Sequence, residues 1–156
     1  MKYLLTLLLC LSLASCNENS SKAAHSHDDH AEHEHHDHHE HAHEAPNGGV
    51  LTDVGDHSAS IEWLIEDGQL KLFVFDGCAE KPIRLAQKEV TVKVKAGEEK
   101  LLTLQAATNK LTGEKPGDSN TFTITTDLTK EKISDLSVQS VNIQGIDYKN
   151  LNLDLE

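Results

Sequence analysis

The chain is poor in the residues that stabilise small exported proteins or build redox sites. Its 156 residues include three cysteines, one methionine and one tryptophan. Cys10 and Cys16 lie near the start, so only Cys78 remains for the rest of the chain and a disulfide framework is excluded there. A blue-copper site is also disfavoured, because it uses two histidines, a cysteine and usually a methionine, whereas the only methionine is Met1 and residues 47–156 contain a single histidine.

Positive charge is scarce as well. The 14 Lys and Arg residues are outnumbered by 26 Asp and Glu residues, which gives a net charge of −12 with neutral histidines. Basic stripes and phosphate loops are missing from the sequence, so nucleic acid is not an expected partner. Nucleophilic catalysis needs a Ser or Cys beside a base. His57 and Cys78 are the only histidine and cysteine of residues 47–156. No sequence signature supports a catalytic pair between them, and we do not expect an enzyme.

The first sixteen residues have the order of an export signal. Lys2 precedes an apolar run over residues 3–14, which is shorter than the roughly 20 residues that span a bilayer. The run ends in Leu13-Ala14-Ser15-Cys16, which resembles the lipobox of bacterial lipoproteins. The resemblance implies that residues 1–15 are removed and that Cys16 becomes the acylated first residue, which several acyl chains would anchor stably in a membrane. An ordinary secretory signal with a chance cysteine is the alternative.

The next segment cannot form a core. Residues 17–45 contain no Leu, Ile, Val or aromatic residue, so they cannot bury enough apolar surface to offset the entropy of ordering. We expect residues 16–46 to form a lipidated, disordered tether. The turn sequence Pro46-Asn47-Gly48-Gly49 closes it.

The histidine tract (residues 25–43) carries the chemistry of this tether. Ten of the eleven histidines and six acidic residues lie in it. Imidazole, with a pKa near about 6.5, is mostly neutral at pH 7 and is the commonest metal ligand. Nitrogen ligands suit Zn²⁺, Cu²⁺, Ni²⁺ and Co²⁺, and carboxylates can complete the shell. The predicted metal ligands, at several overlapping sites, are His25, His27, His30, His33, His35, His36, His38, His39, His41 and His43.

Three other interpretations of the tract remain open. It could be a hydrated acidic spacer or a pH-responsive element. It could also be an expression tag, although the regular Asp and Glu residues argue against a tag.

Residues 47–156 have the size of one domain, and their apolar residues mostly alternate. Ile61, Trp63 and Ile65 fall on one face of a strand, and Asp67-Gly68 marks a hairpin turn. About seven such strands predict an all-β fold, an antiparallel immunoglobulin-like β-sandwich, with a small open barrel as the alternative. Residues 128–137 break the alternation and predict one short helix, capped by Thr129.

The aromatic residues of this domain lie on predicted strands. Such positions are usually part of the core, and an exposed binding patch is the alternative. The residues concerned are Trp63, Phe73, Phe75 and Phe122.

A second and looser resemblance covers residues 47–85. The shared motif is a His-rich lead, then the turn Gly48-Gly49, then a strand start at Val54-Gly55-Asp56-His57. A spaced pattern follows, which consists of Gly68, Leu70, Leu72, Val74, Asp76, Gly77, Pro82 and Leu85. Together they resemble a small β-domain of His-rich bacterial envelope lipoproteins and of some periplasmic adaptors of heavy-metal efflux pumps. The chain lacks the helical hairpin, lipoyl-like and barrel domains of those adaptors. The resemblance implies metal handling in the envelope.

These observations predict a lipid-anchored protein of the bacterial envelope, in the outer membrane and facing the periplasm or the cell surface. It would bind, buffer or hand over divalent transition metal ions, with a metal efflux system or another envelope protein as partner. His57 and Cys78 are secondary candidates for metal ligands. The alternative is a structural or interaction module, in which the β-domain binds an envelope partner and the histidine tract is a spacer.

We predict that Cys16 carries the membrane anchor. Mass spectrometry of the mature protein from its own host should find an acylated N-terminal cysteine, because the lipobox places cleavage directly before it. A mature chain that starts at another residue, or an unmodified cysteine, would contradict this prediction.

Overall fold

The computed structural model of the protein describes residues 44–156. The predictions for the signal peptide, Cys16 and the histidine tract lie outside these residues. The described residues form eight strands and one 3₁₀ turn: β1 (Val50–Val54), β2 (Ala59–Glu66), β3 (Gln69–Asp76), β4 (Glu89–Ala96), β5 (Glu98–Ala106), β6 (Thr121–Thr125), the 3₁₀ turn (Lys130–Lys132), β7 (Asp135–Ile143) and β8 (Ile146–Asn152).

All eight strands belong to one antiparallel sheet, which curls into a half-barrel. The order of strands across the sheet is β1-β2-β3-β6-β5-β4-β7-β8. Hairpins join neighbours such as β2 and β3, whereas β3 pairs with β6 and β4 pairs with β7 across longer connections. The predicted all-β class is confirmed. Over residues 44–156, no helix is long and apolar enough to cross a membrane.

The alternating residues provide the core. Val90, Val92 and Val94 on β4 are buried, as the spacing predicts. Trp63 on β2 lies opposite Leu72 on β3, and both side chains are almost completely buried. Each large apolar side chain buried in this way contributes about 1.5–3 kcal/mol to folding.

The aromatic residues divide between the two faces of the sheet. Trp63 and Phe122 have no exposed surface, which confirms the core interpretation for them. Phe73 is half-buried, and its ring stacks on that of Phe75 with the ring centroids 6.5 Å apart.

The strands β1 and β8 form the two edges of the curled sheet and are not paired with each other. Hydrogen bonds that involve side chains connect these two edges instead. The indole Nε1 of Trp63 donates to the carbonyl oxygen of Asp154 at 2.7 Å. The backbone N–H of Asp154 donates to Oγ1 of Thr52 at 2.7 Å. The hydroxyl groups of Ser58 and Tyr148 lie 3.2 Å apart. These hydrogen bonds hold the C-terminal segment beside β1 and β2.

The predicted helix over residues 128–137 is wrong. Only the 3₁₀ turn forms, and β7 begins at Asp135. Thr129 is extended and its side chain makes no capping bond to the backbone. Leu136 pairs with Val94 of β4 and is buried. A helix of this length is marginal in water, so strand pairing with an already apolar neighbour prevails over the local pattern.

Candidate functional site

A buried carboxylate holds the first described residues of the chain. Glu62 lies in the middle of β2, on the face opposite Ile61 and Trp63, and has no exposed surface. Its Oε1 accepts hydrogen bonds from the backbone N–H groups of Asn47 and Gly49, at 2.9 and 2.7 Å. Its Oε2 accepts one from the side-chain Nδ2 of Asn47 at 2.8 Å. We call this arrangement the junction (Asn47, Gly48, Gly49 and Glu62), because it secures the segment that follows the histidine tract.

The junction explains the two adjacent glycines. Gly48 has a φ of +74°, in the left-handed region, and its N–H donates to the carbonyl oxygen of Ala45 at 3.0 Å. Gly49 lies so close to β2 that a Cβ there would overlap the carbonyl oxygen of Trp63. The turn predicted for Pro46-Asn47-Gly48-Gly49 is therefore confirmed. It places the backbone N–H groups of Asn47 and Gly49 against the buried carboxylate of Glu62.

The hydrogen bonds of the junction compensate for the cost of burying the carboxylate of Glu62. An isolated buried carboxylate is very costly, and only hydrogen bonds or an opposite charge compensate for it. No lysine or arginine of residues 44–156 forms an ion pair with Glu62. The donors are instead neutral N–H groups, whose bonds to a carboxylate are roughly twice as strong as bonds between neutral groups. If Asn47 and Gly49 moved away, the carboxylate of Glu62 would lose all of these N–H donors.

His57 lies in the turn between β1 and β2, so the strand start predicted at Val54-Gly55-Asp56-His57 is wrong, and β2 begins at Ala59. Gly55, Asp56 and His57 have φ values of 58°, 51° and 62°. Three successive left-handed residues reverse the chain before β2 starts at Ala59. The Nδ1 atom of His57 lies 2.9 Å from Oδ2 of Asp53, and the side chain of His57 is 73% exposed. This contact occupies one ring nitrogen.

Cys78 lies in the turn that follows β3, and it is a free, exposed thiol. The two turns touch, since a Cβ at Gly77 would overlap the carbonyl group of His57. Within residues 44–156, however, no three His, Cys, Asp or Glu side chains are arranged to hold a metal ion. The secondary metal role of His57 and Cys78 stays a prediction, without a preformed site.

The other motif positions are mainly turn-forming residues. A Cβ at Gly55 would overlap the hydroxyl of Tyr148. Oδ1 of Asp76 accepts the backbone N–H groups of Glu80 and Lys81, at 2.9 and 3.1 Å. The Lys81 N–H is the main reason that the pKa of Asp76 lies below its usual value. These motif positions therefore form the turns that connect β1, β2 and β3 and the turn that follows β3.

Glu114 organises the long connection between β5 and β6. It accepts hydrogen bonds from Oγ1 of Thr112 at 2.7 Å, Oγ of Ser119 at 3.2 Å and the N–H of Asn120 at 3.1 Å. Burial raises the pKa of Glu114, but these bonds and the nearby Arg84 outweigh burial and leave the pKa below its usual value. Glu114 is thus ionised in the folded protein at neutral pH and fixes the loop.

An open pocket of about 490 Å³ lies beside the turn that joins β2 and β3. Ile65, Gly68 and residues 126–131 line it. No histidine or cysteine is among these residues.

Sequence reasoning missed Glu62 and Glu114. Alternation alone places Glu62 at an ordinary polar position, and the only local signal is that the next residue on the same face of β2, Leu64, is apolar. For Glu114 the surrounding sequence is polar throughout, and nothing local distinguishes it from exposed acids.

No family model, curated protein or solved structure matches this chain.

We predict that Glu62→Gln lowers the free energy of unfolding by about 2–4 kcal/mol, because it removes a charge and turns an amide group toward N–H donors. The matched control is Glu66→Gln on the same strand, where the carboxylate is 61% exposed and bonded only to Lys71. That exposed pair should contribute less than about 1 kcal/mol. Urea unfolding of both variants measures the difference. Equal effects would show that the junction does not stabilise the fold.

Proposed function

We propose that this protein is a lipid-anchored envelope protein that binds, buffers or hands over divalent transition metal ions through its histidine tract. The observation that carries the proposal is the composition of residues 25–43, where ten histidines alternate with six acids. No basic residue lies between Ala23 and Gly49 to repel a cation.

The composition supports exchange of metal better than permanent storage. His-x-His pairs recur along the tract, so each imidazole has several partners within a few residues. A fixed tetrahedral site needs four ligands in one geometry, whereas overlapping pairs offer many sites of moderate affinity. Moderate affinity allows an ion to move from site to site and on to an acceptor. The carboxylates raise the local concentration of cations.

In this proposal the β-domain is the folded part of the protein to which the histidine tract is attached. The junction at Glu62 fixes residues 47–49 against β2 through hydrogen bonds of 2.7 to 2.9 Å. The immunoglobulin-like sandwich stays a prediction that goes beyond the curled sheet described above.

The location and the partner belong to the same proposal. The lipobox-like Leu13-Ala14-Ser15-Cys16 supports a membrane anchor, and the outer membrane, facing the periplasm or the cell surface, is the proposed location. A metal efflux system or another envelope protein would receive or supply the ion.

An interaction module is the second candidate, and one observation favours it. Leu111 is 97% exposed in the connection between β5 and β6. The connection is held on both sides, since Asn109 pairs with Glu114 and Arg84 bonds to Asp118 at 3.2 Å. In an interaction module this side chain would be one contact for a protein partner. A single exposed leucine is common on protein surfaces, so Leu111 marks a position to test and does not define a binding patch.

We predict that the histidine tract binds more than one divalent ion per chain at about pH 7.4, and that binding is lost near pH 5, because metal must displace protons from imidazoles whose reference pKa is about 6.5. As the ten imidazoles become protonated, the charge of residues 25–44 changes from about −7 to about +3. Calorimetric titration of residues 17–156 with Zn²⁺, Cu²⁺, Ni²⁺ and Co²⁺ measures the binding.

The control is the same chain with the ten tract histidines replaced by asparagine, which preserves length and acidity. Cu²⁺ should bind most tightly whatever the physiological metal is. Equal binding by the control would move the site to His57 and Cys78. No binding by either chain would leave the interaction module as the better explanation.

A further inference from the structure

The junction contains the sequence Asn47-Gly48, the only Asn-Gly pair in the chain. We propose that Asn47 is a deamidation site that the folded junction keeps closed, and that its reaction opens the junction irreversibly. The proposal concerns the β-domain alone and does not depend on metal binding.

The chemistry requires only water. The backbone nitrogen of Gly48 attacks the side-chain carbonyl carbon, Cγ, of Asn47. The Gly48 nitrogen loses its proton, the bond from Cγ to Nδ2 breaks, and the departing NH₂ group takes up a proton and leaves as ammonia, which gives a five-membered succinimide. Water then opens the ring at one carbonyl or the other, to give aspartate or isoaspartate. Asn-Gly is the most reactive sequence for this step, because glycine has no side chain to hinder the approach of its nitrogen.

The folded junction occupies both reacting groups. The N–H of Gly48 donates to the carbonyl oxygen of Ala45 at 3.0 Å, so the attacking nitrogen is directed away from the side chain. The Nδ2 of Asn47 donates to Oε2 of the fully buried Glu62 at 2.8 Å. The N–H of Asn47 is held by the same carboxylate. The hydrogen bonds of the Gly48 N–H and of the Asn47 Nδ2 must break before the ring can close, because they hold the attacking nitrogen and the leaving group. The reaction rate therefore reports how often the junction opens.

The product cannot re-form the junction. Aspartate at position 47 would replace an N–H donor with a second carboxylate against the buried carboxylate of Glu62. Two like charges at that distance repel, and one of them must be neutralised or exposed to water. Isoaspartate would also lengthen the main chain by one carbon, which displaces the N–H of Gly49 from Oε1 of Glu62. The segment before β1 would then stay detached.

The first experiment measures deamidation of the full chain at about pH 7.4 by peptide mapping with mass spectrometry. A synthetic peptide of residues 44–51 is the reference. The folded chain should react at least about tenfold more slowly than the peptide. Glu62→Gln should move the rate toward that of the peptide, whereas Glu66→Gln should leave it unchanged. Equal rates for the folded chain and the peptide would overturn the proposal. A slower reaction in Glu62→Gln would also overturn it, since it would mean that Glu62 promotes the reaction.

The second experiment tests the consequence with Asn47→Asp, which stands in for the product. It should shift the unfolding equilibrium toward the unfolded state by at least about tenfold, and Asn47→Ser should shift it less, because serine adds no charge. In the Glu62→Gln background, Asn47→Asp should have almost no additional effect, since the repelling charge is gone. Effects of Asn47→Asp that are equal in both backgrounds would overturn the proposed repulsion.

Discussion

The burial of Glu62 is the constraint on which the N-terminal part of the domain depends. A carboxylate with no exposed surface must be surrounded by donors, and here the donors come from Asn47 and Gly49. This requirement fixes the turn before β1, excludes a side chain at Gly49 and places the start of β1 against β2. One acid thus determines where the preceding polar segment joins a domain with an apolar core.

Much of the sheet could be predicted from the sequence, because period-two alternation on β2, β3 and β4 is imposed by the pleat itself. The helix could not be excluded in the same way. Leu136 fits a helical pattern equally well, and only the presence of Val94 as a strand partner decides for β7. Likewise, the single curled sheet and the bonds that Asp154 makes to β1 and β2 depend on contacts between residues far apart in sequence.

For the candidate sites, too, the sequence predicts composition and turns but not contacts between residues far apart in the chain. A metal-binding interpretation of the histidine tract needs only composition, because many closely spaced pairs of ligands do not require a particular fold. The junction needs three-dimensional contacts, so the sequence could mark Gly48 and Gly49 as a turn but not Glu62 as its partner. His57 and Cys78 lie in touching turns, yet residues 44–156 contain no preformed cluster of metal ligands. Metal binding by the histidine tract stays a proposal that rests on the composition of residues 25–43.

Hydrogen exchange of the Asn47 and Gly49 backbone amides in the intact chain measures whether Glu62 holds the segment before β1. Both N–H groups donate to a fully buried carboxylate, so they should exchange far more slowly than the same amides in an unstructured peptide. Their protection should fall in Glu62→Gln while the amides of β4 remain protected. Exchange of Asn47 and Gly49 at peptide rates in the unmodified chain would contradict the account, because the segment would then not be held by Glu62.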